Sequence, residues 1–152
     1  MPNYGDGPFI QAACFCETVI EDKSGVLSLI RLIDTLIHTQ AGEAPPEELP
    51  PFSHTFKLVI MLKSGDAKGR FNLRVEPELP NGSTEKNVIV TAYFEGEEKG
   101  QNIVADMAYL FKLEGLYWFN VFLDDKKLTS IPLRVKYNRV MIGTSHQPPT
   151  SQ

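Results

Sequence analysis

The stretch G-L-Y-W-F-N-V-F-L-D-D-K-K-L-T-S-I-P-L-R-V, residues 115–135, alternates in hydropathy on both sides of a charged turn. The alternating positions are Tyr117, Phe119, Val121 and Leu123 before the turn, and Thr129, Ile131, Leu133 and Val135 after it. A period of two residues places such side chains on one face of an extended strand. Two such segments around a four-residue turn predict a β-hairpin with one buried face.

Similar short segments, rich in β-branched and aromatic residues, recur along the whole chain. We predict about eight strands, at residues 10–21, 26–38, 54–63, 69–76, 87–94, 103–112, 116–123 and 128–137. Many short strands with turn-rich connections indicate an all-β fold, an antiparallel two-sheet sandwich. The Pro-rich stretch 39–51 and the charged stretch 95–102 are predicted to be loops.

The segment V-L-S-L-I-R-L-I-D-T-L-I, residues 26–37, fits two structures. Its apolar residues recur at helical spacing, and Ser28, Arg31 and Asp34 would form the polar stripe of an amphipathic helix. Its many β-branched residues and the turn-like D-K-S-G before it favour a strand, in which the same charges would pair with neighbours at a sheet edge. The pattern alone leaves helix and strand equally open.

Length and charge limit the classes of function. A chain of 152 residues predicts one domain, here residues 1–142, followed by a flexible polar tail at 143–152. A net charge of −4 and dispersed cations argue against nucleic-acid binding. The longest apolar run, residues 58–62, is far short of a membrane span, and no export signal is visible at the N-terminus. We therefore expect a cytoplasmic protein of bacterial origin.

The sequence C-F-C places both cysteines of the chain two residues apart, at Cys14 and Cys16. In a strand the two side chains would share a face, with Cα atoms about 6.5 Å apart and parallel Cβ vectors. This geometry disfavours a disulfide between them. Zinc needs four ligands, and no second pair of cysteines or histidines has suitable spacing. We predict that both thiols fill the protein core, against the alternative of a thiol-based enzyme or sensor.

Catalytic motifs are missing from the sequence. There is no G-x-S-x-G elbow, no glycine-rich phosphate loop and no D-x-D calcium spacing, and the carboxylates concentrate in predicted loops. We therefore predict no enzyme activity, no catalytic residues, no cofactor and no metal.

Two longer patterns carry a resemblance to a known family. A-C-F-C-E-T-V-I-E-D-K-S-G-V-L-S-L-I-R-L-I-D-T-L from Ala13, with prolines after it, and the hairpin 115–135 resemble the strand and turn patterns of a bacterial family of small uncharacterised proteins. The hairpin departs from the family pattern at Asp125, where that pattern has glycine. The resemblance implies an immunoglobulin-like β-sandwich, and hence a strand at 26–37. It implies no activity and assigns no catalytic residue.

The predicted strand 116–123 is apolar on both faces, because Leu116, Trp118 and Phe122 lie opposite the alternating positions. Such a strand is either covered by the fold, here by the 39–51 loop, or offers a docking surface to a protein. Our interpretation is a protein that acts by contact, as a homo-oligomer or an accessory subunit, through these three residues. The alternative is a small-ligand or carbohydrate-binding sandwich that stacks its ligand on Tyr93, Tyr109 and Trp118.

Overall fold

The computed structural model describes residues 6–143, and every regular element within them is a β-strand. The strands are β1 (Phe9–Glu21), β2 (Leu27–Ile33), β3 (Thr35–Gly42), β4 (Phe52–Glu78), β5 (Val88–Phe111), β6 (Gly115–Leu123) and β7 (Lys126–Met141). The predicted all-β fold is confirmed. A helix suited to crossing a membrane does not occur in this part of the chain.

The strands form two facing layers that share one hydrogen-bonded ribbon. β4 and β5 pair antiparallel along almost their whole length, with register shifts near residue 65. The first half of β4 pairs with β1, which pairs with β2, and these make the smaller layer. The second half of β4 pairs with β6, followed by β7 and β3, and these make the larger layer. β5 is therefore one edge of both layers, and the opposite edges are β2 in the smaller layer and β3 in the larger one.

Aromatic side chains fill the space between the layers. Phe15 on β1 meets Phe119 on β6 edge-on, with ring centroids 4.9 Å apart, and meets Phe56 on β4 at 5.0 Å. All three rings are buried. The alternating residues of the 115–135 hairpin, such as Tyr117 and Leu133, are buried as predicted, except Thr129, which is half-buried. Contact between rings of opposite layers makes the fold a sandwich.

The segment 26–37 is extended, so the strand alternative is confirmed. It is interrupted at Asp34, because β2 belongs to the smaller layer and β3 crosses to the larger one. Arg31, in a left-handed conformation (φ 59°), lies with its Nε 3.6 Å from the carboxylate of Glu17, as expected for a charge that pairs with its neighbour at an edge. β3 pairs with β7 in parallel, the one parallel pair in residues 6–143.

The two predicted loops need correction. Residues 39–42 belong to β3, so the Pro-rich connection is limited to 43–51. Residues 95–102 are not a loop, because β5 continues through them and the predicted strands 87–94 and 103–112 are one strand. Likewise 54–63 and 69–76 are both part of β4. Nearly all of the predicted tail, residues 144–152, lies outside the described residues.

The turn at residues 22–25 forms as its sequence predicts. The carboxylate of Asp22 accepts hydrogen bonds from the amides of Ser24 (2.8 Å) and Val26 (3.0 Å), and Gly25 has a φ of +85°. At the other hairpin turn the left-handed residue is Asp124 (φ 49°), one position before the glycine of the family pattern.

Replacing the ring that joins the layers tests this packing. We expect Phe15→Ala to lower the free energy of unfolding by about 3–5 kcal/mol, because it leaves a cavity between two other rings. Ile37→Ala, at a side chain 64% exposed, serves as the control and should change it by about 0.5 kcal/mol or less. Urea unfolding measures both, and equal effects of the two substitutions would contradict the two-layer core.

Candidate functional site

The outward side chains of β6 form a row on the open face of the larger layer. Leu116, Trp118 and Phe122 lie on the side opposite the buried Tyr117 and Phe119, as alternation requires. Trp118 is 37% exposed, and Leu116 and Phe122 are half-buried. From Leu116 to Phe122 the row is about 20 Å long. We call these three residues the β6 row.

The Pro-rich connection 43–51 does not cover this row. Tyr137 donates a hydrogen bond to the carbonyl of Pro46 (2.7 Å), and Arg139 donates one to the carbonyl of Pro45 (3.0 Å). Tyr137 and Arg139 lie on the same face of β7 as the inward-facing Leu133. Leu49, within the connection, is buried in the core. The connection therefore closes one end of the sandwich, and the covering-loop alternative is wrong.

Polar contacts surround the β6 row and fix its shape. Asn120, between Trp118 and Phe122, is buried, and its Oδ1 accepts a hydrogen bond from the Ser130 hydroxyl at 2.6 Å. The guanidinium of Arg74 lies 4.2 Å above the centroid of the Phe122 ring and 3.7 Å from the Glu76 carboxylate. Phe122 thus supports an arginine, and Trp118 is the apolar side chain most open to contact.

The charges on the two sides of the row differ. On the β4 side Glu78 lies opposite Trp118, and on the β7 side Pro132 does so. Further along the outer side of β7 are Arg134 and Lys136, both exposed. Among residues 6–143, neither of these cations lies within 4 Å of a carboxylate. The β7 flank of the row is therefore basic and unpaired.

The three aromatic residues considered for ligand stacking do not converge. Tyr109 points between the layers, where its ring lies 5.6 Å from that of Phe119 and its hydroxyl donates to Glu85 at 2.8 Å. Burial, and then the Glu85 carboxylate, raise the pKa of Tyr109. Tyr93 is exposed on β5, where it pairs with Arg70 of β4. Trp118 pairs with Glu78, eight residues further along β4. Tyr93 and Trp118 are therefore about 26 Å apart along the strand direction. The alternative of a common aromatic cleft therefore has no geometric support.

The two cysteines share a face, as predicted, but that face is not the core. Phe15 between them points at the aromatic interior, so Cys14 and Cys16 lie on the outer side of the smaller layer. Cys16 is fully buried there among its strand neighbours, Cys14 is half-buried, and both thiols are free. The predicted burial is confirmed for Cys16, although neither cysteine belongs to the cluster of side chains between the layers.

Both thiols are held in the neutral form. Burial raises the pKa of Cys14, and the neighbouring Cys16 raises it further. Burial also raises the pKa of Cys16, against smaller opposing effects of a backbone hydrogen bond from Thr18 and of the Lys57 charge. Since the thiolate is the reactive species, this environment opposes a catalytic or sensing role.

Two aspartates accept hydrogen bonds from backbone amides of neighbouring segments. Asp66 accepts from the amide of Asp6 (2.8 Å), and Asp124 accepts from the amide of Asn72 (3.1 Å). These aspartates line a depression of about 380 Å³ with Lys126 at its rim. Residues 6–143 contain no group of three or more histidine, cysteine or acidic side chains placed to hold a metal ion.

The sequence analysis missed two exposed apolar areas. Ile30 and Leu32 on β2 project from the outer side of the smaller layer, beside the cysteines. Ile89 and Tyr93 project from β5, at the free edge of the larger layer. Alternation identifies the side chains of a strand that share a face, but the edge position of β2 and β5 follows only from the order of strands in the sheet.

The state of the thiols predicts slow alkylation. At neutral pH we expect iodoacetamide to modify native Cys14 slowly and Cys16 more slowly still, because both are shielded and protonated, and to modify both rapidly in denaturant. Mass spectrometry of timed samples gives the rates. Native rates equal to those in denaturant would contradict the burial of Cys16.

The same pKa shifts predict loss of stability in alkali. A thiol or phenol whose pKa is higher in the folded protein stabilises the fold below the unfolded pKa, and this contribution is lost as pH rises towards the folded pKa. The free energy of unfolding should therefore fall as pH rises above about 9, the ordinary pKa of cysteine. Cys16→Ala and Tyr109→Phe should each flatten this fall in urea titrations between pH 8 and about 11, and an unchanged slope in both would contradict the assignment.

Among the solved structures that are similar to this chain are two distant likenesses. The CARDB domain of a Pyrococcus furiosus protein, solved in complex with di-metal ions, is 12% identical, with 88% of this chain and 99% of that chain covered and a TM-score of 0.42. An immunoglobulin-like protein from Pseudomonas aeruginosa is 17% identical, with 86% and 98% covered and a TM-score of 0.41. No curated protein matches the chain.

A family model covers most of the chain. It is described as a family of unknown function, DUF6941, and it matches residues 11–136, from β1 to the last third of β7. The match includes both patterns that carried the resemblance to an uncharacterised family, the C-F-C strand with its turn and the 115–135 hairpin. The chain belongs to this family of unknown function, DUF6941.

Proposed function

We propose that the chain acts by protein–protein contact, without catalysis, and that the β6 row is its docking surface. The observation that supports this most is the exposure of Trp118 on a central strand of the larger layer. Tryptophan is enriched among the residues that dominate binding energy. An apolar centre with charged residues around it is also the usual anatomy of a protein interface.

The charges around the row indicate the chemistry of the partner. Arg134 and Lys136 lack carboxylate partners among the described residues, and Glu78 is the one unpaired carboxylate on the opposite flank. A second copy of the same face would bring net positive charge against net positive charge. We therefore propose a different protein as the partner, with an apolar centre and carboxylates facing β7. This corresponds to an accessory subunit.

The thiols and the tyrosines support a role without chemistry. Buried, protonated Cys16 and the hydrogen-bonded Tyr109 are placed to stabilise the fold. Two free cysteines on one strand suit a reducing compartment such as the cytoplasm.

Photo-crosslinking at the row identifies the partner. Benzoylphenylalanine replaces Trp118 in one protein and Ile20, on the outer side of the smaller layer, in the control. Both are expressed in the native cells and irradiated, and crosslinked proteins are identified by mass spectrometry. We expect one protein crosslinked from position 118 and absent from the control. Crosslinking to nucleic acid, or equal crosslinking from both positions, would overturn the proposal.

Direct binding then tests the chemistry with the purified partner. We expect Trp118→Asp to weaken the Kd by at least about 30-fold, corresponding to about 2 kcal/mol. Arg134→Glu should weaken it by about 5-fold or more, with an effect that shrinks at high salt. Ile20→Asp is the control and should leave the Kd, measured by calorimetry, unchanged. A Kd insensitive to Trp118→Asp, or self-association abolished by it, would contradict an acidic partner at this row.

A further inference from the structure

One edge of the larger layer is formed by an uncharged segment of β5. Residues 88–94, V-I-V-T-A-Y-F, form the first part of β5, pair with β4 on one side and have no strand on the other. Ile89 is 63% exposed and Tyr93 is 58% exposed. Natural edge strands are usually protected by charges, prolines or bulges. This segment contains no charge and no proline, and its register with β4 is continuous.

One hydrogen bond shows which backbone groups face outward. The amide of Tyr93 donates to the side-chain oxygen of Gln101, so it is not used in pairing with β4. In antiparallel pairing, residues alternate between those that bond the neighbouring strand and those that do not. The amides and carbonyls of Ile89, Thr91 and Tyr93 therefore point to the free edge, where a further strand would bind them.

We propose that a second copy of the chain pairs with this edge, antiparallel and centred on Thr91, to form a two-fold symmetric dimer. In this register Ile89 of each copy lies opposite Tyr93 of the other, and Thr91 lies opposite Thr91. Three hydrogen-bonded residue pairs would supply about four backbone hydrogen bonds while Gln101 holds the Tyr93 amides, and about six once both amides are released. Isoleucine and tyrosine are a favourable cross-strand pair. The segment fits itself because it has apolar residues at equal distances on both sides of Thr91.

The ends of the segment limit the pairing to its uncharged residues. Glu95, the first charged residue after it, is held by Lys99 of its own chain at 3.3 Å, and the ribbon bends away at Gly96 and Glu97. The partner strand must therefore match seven uncharged residues, as the same segment of a second copy does.

The dimer would place two β6 rows on the same side of one continuous sheet. A two-fold axis normal to the sheet keeps both outer faces together, and strand spacing and rise put the two Trp118 side chains about 45 Å apart. This inference does not depend on the proposed function, because β5 and β6 are separated by β4 and are altered by different substitutions.

Sedimentation velocity on the full chain tests the dimer. We expect a mass twice the 17.0 kDa of one chain. Thr91→Pro removes an outward amide that β4 does not use, so it should give a folded monomer, whereas Thr91→Val keeps the amide and should remain dimeric. Gln101→Ala frees the Tyr93 amide for pairing and should tighten the dimer. A wild-type monomer, or a dimeric Thr91→Pro protein, would overturn the proposal.

Charge exchange tests the register. The double variants Ile89→Lys with Tyr93→Lys and Ile89→Glu with Tyr93→Glu should each be monomeric, because like charges face each other across the edge. Mixed in equal amounts, they should form a heterodimer, since every lysine then meets a glutamate. Circular dichroism confirms that each variant remains folded. Failure of the mixture to associate would overturn pairing centred on Thr91, as would a dimer of either variant alone.

Discussion

A single two-stranded ribbon holds the two layers of the sandwich together. β4 and β5 pair from Phe52 and Phe111 in the smaller layer to Val75 and Val88 in the larger one. Between the layers the ribbon bends at Gly65, Gly96 and Glu97, all with positive φ. The other strands attach to this ribbon on one side, so the opposite side leaves β5 as the edge of both layers.

The bend also reverses which side chains face the core. Before it, even-numbered residues of β4 such as Leu58 and Ile60 are buried in the interior, and after it odd-numbered residues such as Leu73 and Val75 are. The inward face of β5 changes at the same place, from Ala92 and Phe94 to Ile103 and Met107. The two register shifts cancel across the bend, since Lys63 opposite Gly100 and Lys68 opposite Glu95 keep one offset, so both strands exchange their faces together. A sequence pattern therefore shows two strands where the structure has one.

Local features of the fold were predictable and long-range features were not. The 115–135 hairpin was predicted because alternation and a short turn act between neighbours in sequence. The sequence at 95–102 predicted a loop, because glycines and charged residues are typical of loops. The same residues also suit a bent and exposed part of a two-stranded ribbon. At the site, alternation placed Leu116, Trp118 and Phe122 on one face. It could not show that Phe15, rather than the cysteines, faces the other layer, because both choices satisfy a period of two.

The ribbon also predicts the order in which contacts form during folding. Val75 and Val88, next to the connection at 79–87, are 13 residues apart, whereas Phe52 and Phe111 are 59 apart. The entropy lost on closing a loop rises with its length, so pairing that starts at the short connection and proceeds outward adds each step at little further loss. The larger layer is then expected to form before the smaller one. As the pairing of β4 with β5 extends, it brings together residues that are far apart in sequence, ending with Phe52 and Phe111.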